Sequence, residues 1–209
     1  MWRLKYSRGE ALRFVSHLDF VRVFERAARR GGIDVAFSGG FNPRIIMVFG
    51  NPLPVGVTSD CELMDITLNR PCEGSDLVNL FNSELPGGIK VLEAEPIDKK
   101  TPSILKSIST AEYIVMTESA DCENPAVRLR ECYDAAETLA TMKKSKSGVR
   151  ETDIKPLIRE FTAVNGSLVR ISCMTGIEGN LRPELAINAL AEKCGICLKI
   201  GNIHKTKCF

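Results

Sequence analysis

One order of segments, strand-helix-strand-strand-helix-strand, can be read twice along this chain, and that repetition most constrains its fold. Trp2 to Arg8 alternates apolar Trp2, Leu4 and Tyr6 with charged Arg3 and Lys5, the period of a strand with one buried face. Ser16-His17-Leu18-Asp19 reads as a helix start, with an acidic residue three after the serine. Phe20, Val21, Phe24, Ala27 and Ala28 then recur at helical spacing from His17 to Arg30, and Gly31-Gly32 ends the run. Ile33 to Phe37 and Ile45 to Phe49 read as short strands around the loop Ser38-Gly39-Gly40-Phe41-Asn42-Pro43. Asn51 to Val57 is too proline-rich for a regular element. A strand over Glu62 to Leu68, a helix over Leu77 to Glu84 capped by Ser75-Asp76, and a strand over Ile89 to Ala94 complete the first pass, leaving one extra strand in the middle.

The second pass opens with a strand over Glu112 to Thr117 and a helix over Pro125 to Met142. Thr152 to Ala163 and Leu168 to Met174 form a hairpin around Asn165-Gly166. A helix from Arg182-Pro183-Glu184 to Lys193 and a strand over Ile196 to His204 close the chain. Pro96 to Ser109 is the join, with a short helix at Ser103 to Ser107. The expected fold class is α+β, as two tandem ferredoxin-like (βαββαβ) domains over residues 1–100 and 108–209. At 209 residues, two domains of that size bury enough surface to need no disulfide or metal staple.

The net charge of +2 hides an asymmetry. Residues 1–50 carry nine Lys/Arg against four Asp/Glu, and residues 51–100 the reverse, four against nine. A basic first quarter suits nucleic acid or an acidic partner, whereas the whole chain is no polycation. No run approaches a membrane span, and the N-terminus enters strand-like sequence without a signal-peptide core, so a cytoplasmic protein with no membrane association is expected. Of eight cysteines, only Cys194-Gly195-Ile196-Cys197 form a CxxC, and only two histidines exist. Cys194, Cys197, His204 and Cys208 make a conceivable ligand set, but without a second ligand pair the expectation is reduced cysteines, no metal and no cofactor.

Strand one runs up, the helix returns and strand two runs up again, so the helix start at Ser16-His17 and the loop Ser38 to Arg44 are expected to share one rim of the sheet. Helix N–H groups, the Gly39-Gly40 turn, Asn42 and Arg44 would then form an anion pocket, with His17 the candidate acid or base. Phe41 reads as a core plug. Arg22, Arg26 and Arg29 fall at i, i+4 and i+7, with Arg30 beside them. They form either a solvated face paired with Asp19 and Glu25, or a row of phosphate contacts through Arg22, Arg26 and Arg30. Lys143-Lys144-Ser145-Lys146-Ser147-Gly148 reads as a second, looped basic patch. No GxGxxG after a strand, GxxxxGK[ST], HExxH, GxSxG or CxxxCxxC occurs, so a self-sufficient enzyme is not indicated.

Four motifs carry a resemblance: Arg13-Phe14-Val15-Ser16-His17-Leu18-Asp19, Glu25-Arg26-Ala27, Ser38-Gly39-Gly40-Phe41-Asn42-Pro43 and Leu53-Pro54-Val55-Gly56. In order and spacing they resemble the radical-SAM-linked protein family, a bacterial domain of unknown function encoded beside, or fused to the C-terminus of, a radical SAM protein. Asp153 to Ala163, Arg182-Pro183-Glu184 and Ile203-His204-Lys205-Thr206 extend the resemblance over nearly the full length. In that family the glycine loop commonly continues with His-Pro, whereas here Arg44-Ile45 follow, so no loop histidine is available. The resemblance implies a radical SAM protein as partner. The expected function is thus an accessory module of such an enzyme, binding RNA or another polyanion. The alternatives are an RNA-processing endonuclease-like enzyme using His17, which rests on fold-level analogy to CRISPR repeat-processing enzymes, and a protein-docking scaffold without nucleic acid.

Overall fold

A computed structural model describes residues 1–98, 100–145 and 148–209. The chain divides into two units, Met1–Ile108 and Ser109–Phe209. Both are mixed α/β arrangements on antiparallel strands, with five α-helices among the described residues.

The first unit contains β1 (Trp2–Arg8), α1 (His17–Arg30), β2 (Met47–Phe49), β3 (Val57–Ile66), α2 (Gly74–Glu84), β4 (Ile89–Pro96) and α3 (Ile104–Ser107). Strand β1 lies between β4 and β3, and β2 pairs with the other side of β3, every pair antiparallel. The alternation read in β1 appears as burial of Leu4, Tyr6 and Arg8. Arg3 faces Asp65 across the β1–β3 register and forks its carboxylate at 2.7 and 2.9 Å, so a cross-strand ion pair reinforces the ladder. Residues 101–107, expected between domains, belong to this unit: Arg3 also donates to the Pro102 carbonyl and the Ser107 hydroxyl.

Helix α1 spans the residues its periodicity indicates and buries Phe20, Phe24, Ala27 and Ala28. Phe24 is the hub of the core, its ring 5.1 Å from Tyr6, 5.4 Å from Phe20, 5.5 Å from Phe49 and 5.8 Å from Phe81. Helix α2 starts at Gly74, before the expected Ser75-Asp76 cap, and its N-cap Glu73 makes no side-chain cap bond. A Cβ at Gly74 would sit 2.7 Å from the Ala94 carbonyl oxygen, so close packing of this helix start on β4 requires glycine.

The principal departure is strand two. Ile33 to Phe37 makes only isolated bridges, Val35 to Leu68 and Phe37 to Ile45. The regular second strand is β2, whose Met47 pairs with Ile66 and Phe49 with Met64. The bridge of Val35 to Leu68 is closed by the Asn69 amide on the Asp34 carbonyl and the Ala36 amide on the Thr67 carbonyl, and it goes no further because Met47 already pairs with Ile66 on that edge of β3. Residues 37–45 are therefore a hairpin excursion entering β2, and the β2–β3 connection is the proline-rich segment 50–56.

The second unit runs β5 (Thr110–Ser119), α4 (Pro125–Ala135), β6 (Ala140–Ser145), β7 (Gly148–Asp153), β8 (Ile158–Ala163), β9 (Leu168–Met174), α5 (Pro183–Cys194) and β10 (Leu198–Cys208). Strand β5 lies between β10 and β9, and β8 pairs with β9. Leaving β6–β7 aside, this is the strand order of the first unit. Helix α4 ends seven residues before Met142, and the β6–β7 ribbon takes the place of its expected last turns. The Asp153 carboxylate accepts the Leu139 and Lys155 amides, tying the chain after α4 to the far end of the ribbon. Pro156, which has no N–H, separates β7 from β8 and breaks the single strand expected over Thr152 to Ala163. At the β8–β9 turn Asn165 Oδ1 accepts the Ser167 and Leu168 amides, and Gly166 has no positive φ, so the connection is a side-chain-capped loop rather than a two-residue turn. Of the expected basic loop, Lys146 and Ser147 lie outside the described residues, while Lys143 to Ser145 end β6.

Candidate functional site

Ser16 caps α1: its hydroxyl accepts the Asp19 amide at 3.2 Å and donates to Asp19 Oδ2 at 2.7 Å. Asp19 Oδ1 accepts from Arg22 Nη1 at 2.9 Å. The Ser16 hydroxyl, then the Arg22 guanidinium, hold the Asp19 carboxyl below its usual value.

His17 is half-buried in the first turn of α1, its ring edge-on to Phe49 at 5.9 Å. It lines a cleft with Tyr6, Arg8, Phe49, Asn51 and Glu62. Strand β1 supplies the floor, because its inward alternation ends on Tyr6 and Arg8, and β3 contributes Glu62, opposite Tyr6 in register. Arg8 is buried, and its fork is committed to the backbone. Nη2 donates to the carbonyls of Leu12 at 2.8 Å, Arg13 at 3.1 Å and Val15 at 2.6 Å, while Nε donates to Leu12 at 3.1 Å. Burial draws the Arg8 guanidinium below its ordinary pKa. Burial, then the Glu62 charge, push the Tyr6 phenol well above its own. The cleft has room for about one water molecule. It can orient a water or a small polar group between an imidazole and a carboxylate, but it is no pocket for a bulky ligand.

The Gly39-Gly40 loop does not join this cleft. The loop that meets His17 is 50–56, through Gly50 to Leu53. Residues 37–45 spring instead from the end of β3 near Trp2, the opposite rim, because Ile66 pairs with both Trp2 and Met47. There Gly40 holds φ +103, the Arg44 amide donates to Ser38 Oγ at 3.0 Å, and Asn42, Pro43 and Arg44 are exposed. Phe41, expected as a core plug, is fully exposed. The single anion pocket of Ser16, His17, Gly39, Gly40, Asn42 and Arg44 is thus divided between two rims. The loop lies on the far rim because the strand paired along β3 is Met47–Phe49, while Ile33 to Phe37 makes only isolated bridges.

The arginines of α1 separate into two groups. Arg30 is a clamp to α2, its Nε 2.9 Å from Glu84 Oε2 and its Nη2 donating to the Glu84 carbonyl. Arg22, Arg26 and Arg29 are exposed, Arg22 paired with Asp19 and Arg29 lying over the Phe37 ring at 5.9 Å. Among the described residues no group of three His, Cys, Asp or Glu side chains comes together as a metal site. No helix of the described residues is long and apolar enough to cross a membrane.

Sequence reasoning missed Tyr6, Arg8 and Glu62. A signal was available: Arg8 continues the inward set Leu4, Tyr6, and a charged residue at an inward position implies a buried polar network. Glu62 carries no such mark.

A model of a protein family described as an uncharacterized protein conserved in bacteria, DUF2344, matches residues 2–183. No curated protein matches the chain. Among solved structures, a chain from a crystal structure of a Cbf5-Nop10-Gar1 complex is similar, with 9% identity and a TM-score of 0.51. The match covers 99% of this chain and 48% of that one, so this chain spans about half of its length. At that identity the likeness concerns the fold alone.

Proposed function

The chain belongs to the DUF2344 family of uncharacterized proteins conserved in bacteria, and from that premise we propose a non-catalytic accessory module of a separate radical SAM enzyme, binding RNA or another polyanion. The partner rests on the four N-terminal motifs and their resemblance to radical-SAM-linked proteins. The polyanion reading is carried by one observation: Arg22, Arg26 and Arg29 stand exposed on the outward face of α1, whereas the inward face is filled by Phe20, Phe24, Ala27 and Ala28. Three guanidiniums on one solvent-facing stripe suit a phosphate backbone. The shared antiparallel strand order supports reading each unit as a ferredoxin-like βαββαβ domain. The same reading has the module in the bacterial cytoplasm, where its eight cysteines would stay reduced.

The test is RNA affinity of the purified chain across salt concentrations, with Arg22→Ala/Arg26→Ala beside it. Each lost phosphate contact flattens the salt slope by about one unit. RNA affinity indifferent to salt and to the arginine pair defeats the reading. Affinity capture from a bacterial host should return a protein with a CxxxCxxC cluster motif.

A second reading, an RNA-processing enzyme using His17, is favoured by Glu62 and Tyr6 lining the same cleft as the imidazole. A general acid–base pair needs two such groups within reach of one reacting bond. Cleavage of RNA that disappears in His17→Ala would establish it; RNA recovered intact from prolonged incubation would exclude it.

A further inference from the structure

We infer that the outward face of α1 is built for single-stranded RNA, with Phe14, Phe37 and Phe41 as platforms for unpaired bases; this rests on the polyanion reading above. Four of the seven phenylalanines in the first unit, Phe20, Phe24, Phe49 and Phe81, pack around the core. The other three stand in solvent: Phe14 is 69% exposed, Phe37 is 47% exposed and Phe41 is fully exposed. Large rings left in water are the informative kind of surface residue. Their positions are not scattered. Phe14 lies two residues before the Ser16 cap, at the start of α1, and Phe37 touches Arg29 in its last turn. Phe41 follows at the tip of the hairpin closed by the bridge of Phe37 to Ile45. The rings thus mark both ends of a 14-residue helix, about 21 Å long.

Two of the rings are also accompanied by a guanidinium. Arg13 Cζ lies 4.7 Å from the Phe14 centroid and Arg29 Cζ 5.9 Å from that of Phe37, while Arg44 follows Phe41 by three residues. Between the ends, Arg22 and Arg29 fall within about 20° of arc at 3.6 residues per turn, and Arg26 within about 60° of both. Aromatic platforms interleaved with cations are what a single strand requires, since bases stack on rings while phosphates follow the charges. A duplex keeps its bases stacked on each other and offers the rings nothing.

The Phe14 platform is preorganised. Arg8 holds the carbonyls of Leu12, Arg13 and Val15, and the Gly56 amide donates to Arg13 O at 2.8 Å, so the backbone on either side of the ring is fixed. Arg22 is paired with Asp19 at 2.9 Å, but both side chains are exposed and such a surface pair gives way readily to a phosphate. Stacking is tolerant of base identity, and little sequence preference is expected.

The experiment is fluorescence anisotropy of a labelled, unstructured RNA oligonucleotide and of the same strand annealed to its complement, against the full chain. The single strand should bind at least tenfold more tightly than the duplex. Phe14→Ala/Phe37→Ala should weaken single-strand binding about tenfold or more with an unchanged salt slope. Unchanged melting of that variant shows that folding is intact. Equal affinity for duplex and single strand, or a ring variant that binds like the parent, overturns this inference while the Arg22→Ala/Arg26→Ala result still stands for the polyanion reading. Failure to bind either RNA overturns both.

Discussion

The Arg8 guanidinium on β1 donates through Nη2 to the carbonyl oxygen of Val15 at 2.6 Å, two residues before His17. That bond and its partners at Leu12 and Arg13 tie the chain between β1 and α1 to the sheet, so the position of the helix start is set by a strand residue. The side chain is buried, donates through Nε and Nη2 to three carbonyls and stacks over Phe20 at 5.0 Å, which is how a strand can turn a cation inward.

Arg8→Lys should separate geometry from charge. A lysine keeps the cation but lacks the Nε–H that meets Leu12 and the rigid planar fork that fixes Nη2 among the three carbonyls. Stability should fall by about 2 kcal/mol or more, because bonds to a charged group contribute roughly 1.5–3 kcal/mol each. Urea denaturation measures it; a midpoint within error of the parent would show the clamp to be dispensable.

Phe24 and Phe14 make a matched contrast. Phe24 is fully buried among four aromatic rings, and Phe24→Ala should cost about 3–5 kcal/mol through lost transfer energy and an unfilled cavity. Phe14→Ala, at an exposed ring, should stay within about 0.5 kcal/mol of the parent. Thermal and chemical melts of the two variants decide it, and a large loss at Phe14 would mean its ring is structural.

Acid should act on the start of α1. The Ser16 hydroxyl and then Arg22 depress the Asp19 carboxyl in the folded state, so its contribution is present above the unfolded value of about 3.9 and is lost as pH falls through the lower folded value. Ser16→Ala removes the larger cause and should raise the Asp19 midpoint towards that of a free carboxyl. Carbon-detected NMR titration reads it directly; an unmoved midpoint contradicts the assignment of cause.

The cysteines should differ sharply in reactivity. Burial, then contact with Cys132, push the Cys194 thiol up to about 12, and burial, then the Glu184 charge, push Cys173 to about 12 as well. Cys197 is exposed. Since the thiolate is the reacting species, iodoacetamide at about pH 8 should alkylate Cys197 well before Cys194 or Cys173. Peptide mapping by mass spectrometry gives the order, and equal labelling of Cys194 and Cys197 would refute it.

Local order was legible wherever one side-chain period dominated. Leu4, Tyr6 and Arg8 face inward by alternation, and Phe20, Phe24 and Ala27 face inward at helical spacing, so β1 and α1 have the bounds their patterns indicate. Patterns failed where competing partners decided the outcome. Ile33 to Phe37 is apolar enough for a strand, but a strand needs a neighbour along its length, and past Ala36 the edge of β3 is already taken by β2. Leu139 and Met142 could extend α4, but the Asp153 carboxylate, 14 residues on and brought alongside by the ribbon, captures the Leu139 amide.

The candidate site divides along the same line. Residue type and helical spacing alone determined that Ser16 caps α1, that Asp19 answers it, and that Arg22, Arg26 and Arg29 share an outward stripe, because these relations span one or two helical turns. Only the tertiary structure decided that His17 shares a cleft with Glu62 and Asn51 rather than with the Gly39-Gly40 loop, that Arg30 serves α2, and that Phe41 stands in solvent. Each of those depends on which strand pairs with β3 and in what register. Register is set by the summed contacts of segments far apart in the chain, and no local period encodes it.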